Sequence, residues 1–166
     1  MGKNPTDRGK NGSKESVLVD GDGGPLSVVL AAANVNDHLL LWETIEAIVL
    51  ERPEPTPEAP QHLCLDADYD NPGGREAAAA GRYVPHIVPK EKAKRSQART
   101  PGSKPRRWVV ERTLAWLCKC RGILVRYDKK DENYLGLIQL ACALLWYRRL
   151  YRLGRCDTKT GRQNTS

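Results

Sequence analysis

Long apolar runs are absent from this 166-residue chain. The longest, from Leu135 to Tyr147, is interrupted by Gln139 and is too short to cross a bilayer core of roughly 30 Å as a helix. The basic amino terminus is followed by no apolar segment or small-residue cleavage site, so a secretory signal is not expected. We therefore expect no membrane span and a cytoplasmic location.

Cysteine is sparse and irregularly spaced. The thiols are odd in number and show neither CxxC pairs nor a neighbouring histidine cluster, which disfavours both a disulfide framework and a structural zinc site. We predict reduced and mostly buried thiols. The five residues are Cys64, Cys118, Cys120, Cys142 and Cys156.

Several familiar catalytic patterns are also missing. His38, His62 and His86 fit no metal-ligand or nucleophile arrangement, and the serines lie in no nucleophile-elbow pattern. The GDGG sequence at residues 21–24 precedes a predicted strand rather than a helix, which argues against a nucleotide phosphate loop. The residues therefore indicate no hydrolase triad and no nucleotide site.

Positive charge is in excess and unevenly distributed. Lysine and arginine number 27 against 20 acidic residues, which gives a formal net charge of +7. Residues 89–107 are basic, poor in apolar side chains and interrupted by proline and glycine, so we expect an exposed segment there. This charge bias predicts a polyanionic partner.

Composition divides the chain into three parts. Residues 1–15 are predicted to be a flexible basic lead-in, residues 16–153 the ordered domain, and residues 154–166 a disordered polar tail. In the ordered part, apolar runs at residues 17–19 and 26–31 flank the turn-rich sequence DGDGGP and predict a β-hairpin.

The later elements alternate between helix and strand patterns. Asp37 begins a predicted helix, closely spaced prolines at residues 52–60 predict an extended connector, and residues 62–65 predict a buried central strand. Residues 75–80 predict a helical turn and residues 83–88 an edge strand. Two helices follow, and the order of the elements predicts an α/β layered domain.

Each of these two helices has an apolar face. The apolar residues are Val110, Leu114 and Leu117 in the first helix, and Tyr134, Leu137, Ile138, Ala141, Leu144 and Leu145 in the second.

Two carboxylates lie at positions where catalytic acids occur. Asp66 directly follows the predicted central strand, and Glu111 lies in the first turns of a helix, near its packed side as judged from Val110 and Leu114. Acids that converge from different elements can hold two metal ions roughly 3.5–4 Å apart for phosphodiester chemistry. On residues alone, an aspartate such as Asp66 is more often a turn residue, and a glutamate such as Glu111 is more often a surface charge that complements the helix dipole.

Basic residues surround Glu111. Arg107 lies four residues before Glu111 on the same helical face. The planar guanidinium group of an arginine can donate two hydrogen bonds to phosphate oxygens. The alternative is a solvated charged face with intrahelical ion pairs. The candidate DNA-binding residues are Arg99, Lys104, Arg106, Arg107, Arg112, Lys119 and Arg121.

Long stretches of the chain resemble one family. From about Asn4 to Leu153 they are similar to DDE transposases of bacterial insertion sequences, in the insertion-sequence-five-like group. The stretches are NPTDRGKNGSK, VLVDGDGGPLSVVLAAANVNDHLLL, PEPTPEAPQHLCLDADYD, GRYVPHIVP and RRWVVERTLAWLCKCRGILVRYDKKDENYLGLIQLACALLWYRRL.

The resemblance implies a ribonuclease H-like fold, an α/β mixed sheet with flanking helices, and DNA cleavage and strand transfer at transposon ends. It implies that Asp66 is the second acid and Glu111 the third acid of a triad that binds Mg²⁺ or Mn²⁺. Arg107 begins the family's RxxxE segment, and Asp68 stands where the family usually has glycine. Lys104 and Cys118 occupy the places of the family's signature tyrosine and lysine, and Lys119 lies one residue off. A bacterial, nucleoid-associated location follows from the same resemblance.

The family's first aspartate lies upstream of the NPTDRGK segment. Asp20 and Asp22 do not replace it, because they belong to the turn between the next two strands. We therefore expect a carboxyl-terminal, amino-terminally truncated portion of a transposase, either a remnant or a frameshift partner of an amino-terminal part. A homo-oligomer is a further expectation. An inactive DNA-binding or regulatory fragment is the alternative function.

Overall fold

The computed structural model describes residues 1–5, 8–87 and 107–160, and for Arg107 and residues 154–160 it describes the backbone only. Its secondary structure alternates between strands and helices. The elements in chain order are β1 (Gly2–Lys3), β2 (Asn11–Val19), β3 (Pro25–Ala32), α1 (Asp37–Glu46), β4 (His62–Leu65), a 3-10 turn (Ala67–Tyr69), α2 (Pro72–Ala80), β5 (Val84–Ile87), α3 (Arg107–Leu117), α4 (Arg121–Leu124) and α5 (Asp131–Thr160).

The strands form two sheets within the described residues. Strands β1, β2 and β3 make an antiparallel sheet, and β4 pairs with β5 in parallel. Strand β2 begins at Asn11, inside the lead-in predicted to be flexible, because Ser13 and Lys14 pair with Ala32 and Ala31 of β3. The chain is thus a mixed α/β fold, as the order of elements predicted.

Two hydrophobic clusters lie on opposite faces of β2. Val17 contacts the cluster built around Val28 of β3 and the carboxyl-terminal helices, whereas Leu18 contacts the cluster that contains Leu63 of β4 and helices α1 and α2. Successive side chains of a strand point to opposite faces, which explains this division. Helices therefore cover both faces of the strand layer.

The apolar faces of the long helices differ in part from the predicted ones, although Leu117 of α3 and Tyr134, Ile138 and Ala141 of α5 are buried as predicted. In α3 the buried row is Val109, Thr113 and Leu117, and in α5 two predicted core residues, Leu137 and Leu144, are 39% and 42% exposed. The physical reason is that α3 turns its Thr113 side toward the β2–β3 turn. Helix α5 also continues to Thr160, past the predicted start of the tail at residue 154.

The prediction of mostly buried thiols was wrong for the described side chains. Cys64 and Cys118 are exposed, and Cys120 and Cys142 are half-buried. Cys64 points outward because its neighbour Leu63 takes the inward side of β4. In the described part of the chain, no helix is both long enough and apolar enough to cross a membrane.

Candidate active site

Asp66 lies directly after the carboxyl end of β4. Its backbone is extended, with φ −71° and ψ 164°, and its Oδ1 accepts a hydrogen bond of 2.7 Å from the amide of Ala67, so it caps the 3-10 turn. The side chain is exposed. Functional groups of α/β proteins commonly stand at this end of parallel strands. Asp66 therefore caps a turn and also lies where a catalytic acid is expected, so the two interpretations do not exclude each other.

Glu111 lies on the exposed side of α3. It follows the buried Val109 by two residues, which is roughly 200° around a helix, and it is exposed. The predicted orientation near the packed side was wrong, because the buried row runs through Val109 and Thr113 rather than through Val110 and Leu114. The acid is therefore open to solvent.

The end of β4 has a negative electrostatic environment. Burial, followed by the negative charges of Asp37, Asp66 and Asp68, raises the pKa of Tyr69 to about 12. A polar groove of about 750 Å³ lies next to the same turn, and its acidic lining residues are Asp37, Asp68 and Asp70. Lys14 binds Asp37 at 2.8 Å and Arg75 binds Asp70 at 2.6 Å, so ion pairs offset part of this negative charge.

The donor chemistry of the two acids fits a hard divalent cation. Carboxylate oxygens are the ligands that Mg²⁺ and Mn²⁺ prefer, and both Asp66 and Glu111 present them to solvent. Among the described residues, no three His, Cys, Asp or Glu side chains are grouped so that they could hold a metal ion. The described part of the chain thus supplies two suitable metal ligands but no group of three.

The transposase DDE domain family matches residues 2–146, a range that includes both acids. The chain belongs to the DDE transposase family. It is 35% identical over 154 residues to a protein named as a transposase for insertion sequence element IS402 of Burkholderia cepacia, covering 91% of this chain and 70% of that protein. No solved structure matches the chain. The family resemblance is confirmed, and DDE transposases act on DNA and generally use divalent metal.

The basic residues predicted for this DDE transposase fall into separate groups. Lys119 and Arg121 are exposed just beyond α3. Arg112 is also exposed, but its guanidinium group has partners within the protein. Its Cζ lies 4.8 Å from the ring centroid of Trp108, and the group donates a hydrogen bond to the carbonyl oxygen of Asp22. The remaining candidates lie outside the described residues or, for the last, are described by backbone alone: Arg99, Lys104, Arg106 and Arg107.

The structure also brings together two histidines for which the sequence indicates no role. His62 Nδ1 and His86 Nε2 lie 2.8 Å apart across β4 and β5, and Cys64 is opposite His86 in the strand register. All three are exposed. The alternating positions of His62 and Cys64 were the available signal, but only the pairing of β4 with β5 brings His86 to them.

Proposed function

We propose that this DDE transposase cleaves and joins DNA strands at the ends of an insertion sequence by two-metal phosphodiester chemistry, with Asp66 and Glu111 as metal ligands. The observation that carries the proposal is the family match across both acids, which coincides with the negative environment at the end of β4. Asp66 and Glu111 would hold Mg²⁺ or Mn²⁺, which would supply activation of a water and stabilisation of the leaving oxygen.

The chain's own residues orient the acids and bind the substrate. The Ala67 amide donates a hydrogen bond to Oδ1 of Asp66, so the carboxylate has a defined direction. Glu111 extends from the exposed side of α3, and the exposed cations Lys119 and Arg121 follow the end of that helix. These cations neutralise the phosphate backbone, which gives affinity without sequence preference.

A third acid completes the site in our proposal. In the described residues, β1 pairs with β2 only at Asn11 and Gly12, so the same edge of β2 is unpaired from Ser13 onward. Strand β4 pairs only with β5 among those residues, and Leu18 and Leu63 pack into one cluster. We infer that a strand carrying the first acid lies between β2 and β4 in a ribonuclease H-like sheet and comes from an upstream part of the transposase.

The test is strand transfer by the transposase assembled with that upstream part. Asp66→Ala and Glu111→Gln are each expected to abolish cleavage at both Mg²⁺ and Mn²⁺, since each removes a ligand. Asp68→Gly is the matched control, because it removes an acid two residues away and restores the residue usual in the family. Undiminished cleavage by the Asp66→Ala enzyme contradicts the proposal.

The second candidate is an inactive DNA-binding or regulatory fragment. The observation in its favour is the absence of a three-acid group among the described residues. The purified chain is then expected to bind DNA without nicking it. Metal-dependent nicking of supercoiled DNA by the chain alone, lost in Glu111→Gln, rules this candidate out.

A further inference from the structure

The turn between β2 and β3, residues 20–24, has a tightly bonded interior. Asp20 Oδ1 accepts hydrogen bonds from the amides of Asp22 and Gly24, at 2.9 and 2.6 Å. The Asp20 amide donates to the Gly24 carbonyl at 2.8 Å, and the Gly23 amide donates to the Asp20 carbonyl at 3.1 Å. The turn is therefore a small rigid body rather than a loose loop. We call it the hairpin turn.

The hairpin turn contacts α3 at the two residues that follow Glu111. The hydroxyl of Thr113 donates a hydrogen bond of 2.7 Å to the carbonyl oxygen of Gly23, and Arg112 donates to the carbonyl oxygen of Asp22. Thr113 and Val109 are 4% and 5% exposed. The turn thus contacts the helix on the side opposite the acid.

Close approach at this contact depends on glycine. Gly23 has φ +88°, and a β-carbon there would lie 2.9 Å from Nη2 of Arg112 and 3.0 Å from Oγ1 of Thr113. The carbonyl oxygen of Val109 would lie at 3.5 Å. All three atoms belong to α3. A side chain at Gly23 would therefore require the side chains of Arg112 and Thr113 to shift, and it would also be strained by the positive φ.

A second helix holds the turn from its other side. Arg149 of α5 binds Oδ2 of Asp20 at 2.8 Å and Oδ2 of Asp22 at 2.9 Å. Trp146 donates a hydrogen bond of 2.7 Å to the carbonyl oxygen of Pro25. The hairpin turn is thereby fixed to α5 as well as to α3, which makes it a rigid reference for the placement of α3.

We propose that the hairpin turn sets the position of Glu111, and that Thr113 is the positioning residue that fixes α3 to the turn. The proposal rests on the proposed function, in which Glu111 is a metal ligand. Sliding a helix by one residue moves each side chain about 1.5 Å along the axis and about 100° around it. Catalytic groups must be held to within about 0.5 Å, so α3 needs such a fixed contact.

Thr44 provides a matched control for Thr113. It is also a buried helical threonine, 3% exposed, and its hydroxyl lies 2.6 Å from the carbonyl oxygen of Leu40, four residues earlier. Its outside partner is Ser16 Oγ at 2.7 Å, on the face of β2 that α1 covers. Thr113 has the same pattern with Val109 and Gly23. The two residues differ in whether the hydroxyl contacts the hairpin turn.

The experiment measures cleavage of transposon-end DNA against Mn²⁺ concentration, in the transposase assembled with its upstream part. Thr113→Val is expected to raise the Mn²⁺ concentration for half-maximal rate by about 10- to 100-fold, the usual effect of removing a residue that orients a metal ligand. Thr113→Ser keeps the hydroxyl, so its Mn²⁺ concentration for half-maximal rate is expected to equal that of the unsubstituted enzyme. Thr44→Val is expected to lower the urea concentration at the unfolding midpoint by about as much as Thr113→Val does. It is expected to leave the Mn²⁺ dependence of the cleavage rate unchanged. Thr113→Ala replaces Thr113→Val if the latter fails to fold.

The outcomes separate the two proposals. Equal Mn²⁺ dependence in Thr113→Val and Thr44→Val overturns the positioning role, while inactivity of Glu111→Gln in the same assay leaves the proposed function standing. Full activity of Glu111→Gln overturns the proposed function itself, and the positioning role with it. If the Mn²⁺ concentration for half-maximal rate rises in Thr113→Val and does not rise in Thr113→Ser or Thr44→Val, both the positioning role and the proposed function are supported.

Discussion

At the scale of single residues, chemically identical groups meet different surroundings in this chain. Cys64 points outward from β4 and is exposed. Cys142 lies half-buried against the cluster around Ile138, where burial, followed by the charge of Glu15, raises the pKa of its thiol to about 11. Since the thiolate is the reactive form, the two thiols are expected to differ in reactivity.

We predict that iodoacetamide at pH 8 modifies Cys64 and Cys118 rapidly and Cys142 slowly, because the Cys142 thiol stays protonated. Its rate should rise about tenfold per pH unit below its pKa. The folded state holds this proton more tightly than the unfolded chain, so this thiol's contribution to stability falls as the pH rises from about 9 toward 11. Peptide mass spectrometry over time measures each site; equal rates at Cys64 and Cys142 contradict the prediction.

At the scale of elements, the hairpin turn has more influence than its five residues suggest. It joins β2 to β3, and it also contacts α3 through Thr113 and α5 through Arg149. These helices lie about 90 and 130 residues further along the chain. Substitutions in the turn should therefore affect the packing of the carboxyl-terminal helices.

Gly24→Ala is expected to lower the free energy of unfolding by about 1–3 kcal/mol, as overpacking in a close contact does. A β-carbon at Gly24 would lie 2.6 Å from the Trp146 ring and 2.7 Å from Nη1 of Arg149. Gly21→Ala is the matched control, since nothing lies within 4 Å of a β-carbon there. Urea unfolding followed by tryptophan fluorescence measures both variants, and equal stabilities would show that the turn does not pack closely on α5.

At the scale of the whole molecule, the net charge of +7 supports binding to DNA, the substrate of the family. Charge alone gives affinity without sequence preference, and salt weakens it by competition. The two basic residues just beyond α3, Lys119 and Arg121, are exposed and lie near the acid Glu111 in sequence. They are the described candidates for backbone contacts.

The double variant Lys119→Gln with Arg121→Gln is expected to weaken DNA binding and to reduce the slope of log affinity against log salt by about 2, one unit for each lost phosphate contact. Lys3→Gln with Arg8→Gln removes the same charge at the amino-terminal end and should leave the slope unchanged. Fluorescence anisotropy at several salt concentrations measures both. An identical slope in the two double variants would mean that these residues contribute only net charge.

The sequence by itself determined the local elements and the family. Strand β4 has the predicted bounds, residues 62–65, because a proline-rich connector precedes it and a turn-rich segment follows it. The hairpin likewise follows from the sequence DGDGGP between two apolar runs. Asp66 became a candidate because it directly follows that predicted strand. Signals of this kind lie within a few residues of the element they specify.

Only the tertiary structure decided which sides of the helices are buried and how the acids are presented. Periodicity allowed Val110 and Leu114 as the inner face of α3, but Thr113 is buried instead, and its hydroxyl donates a hydrogen bond to the carbonyl oxygen of Gly23. That partner lies 90 residues away in the chain. A helical repeat specifies the spacing of side chains, whereas the direction they face depends on distant groups that the fold brings into contact.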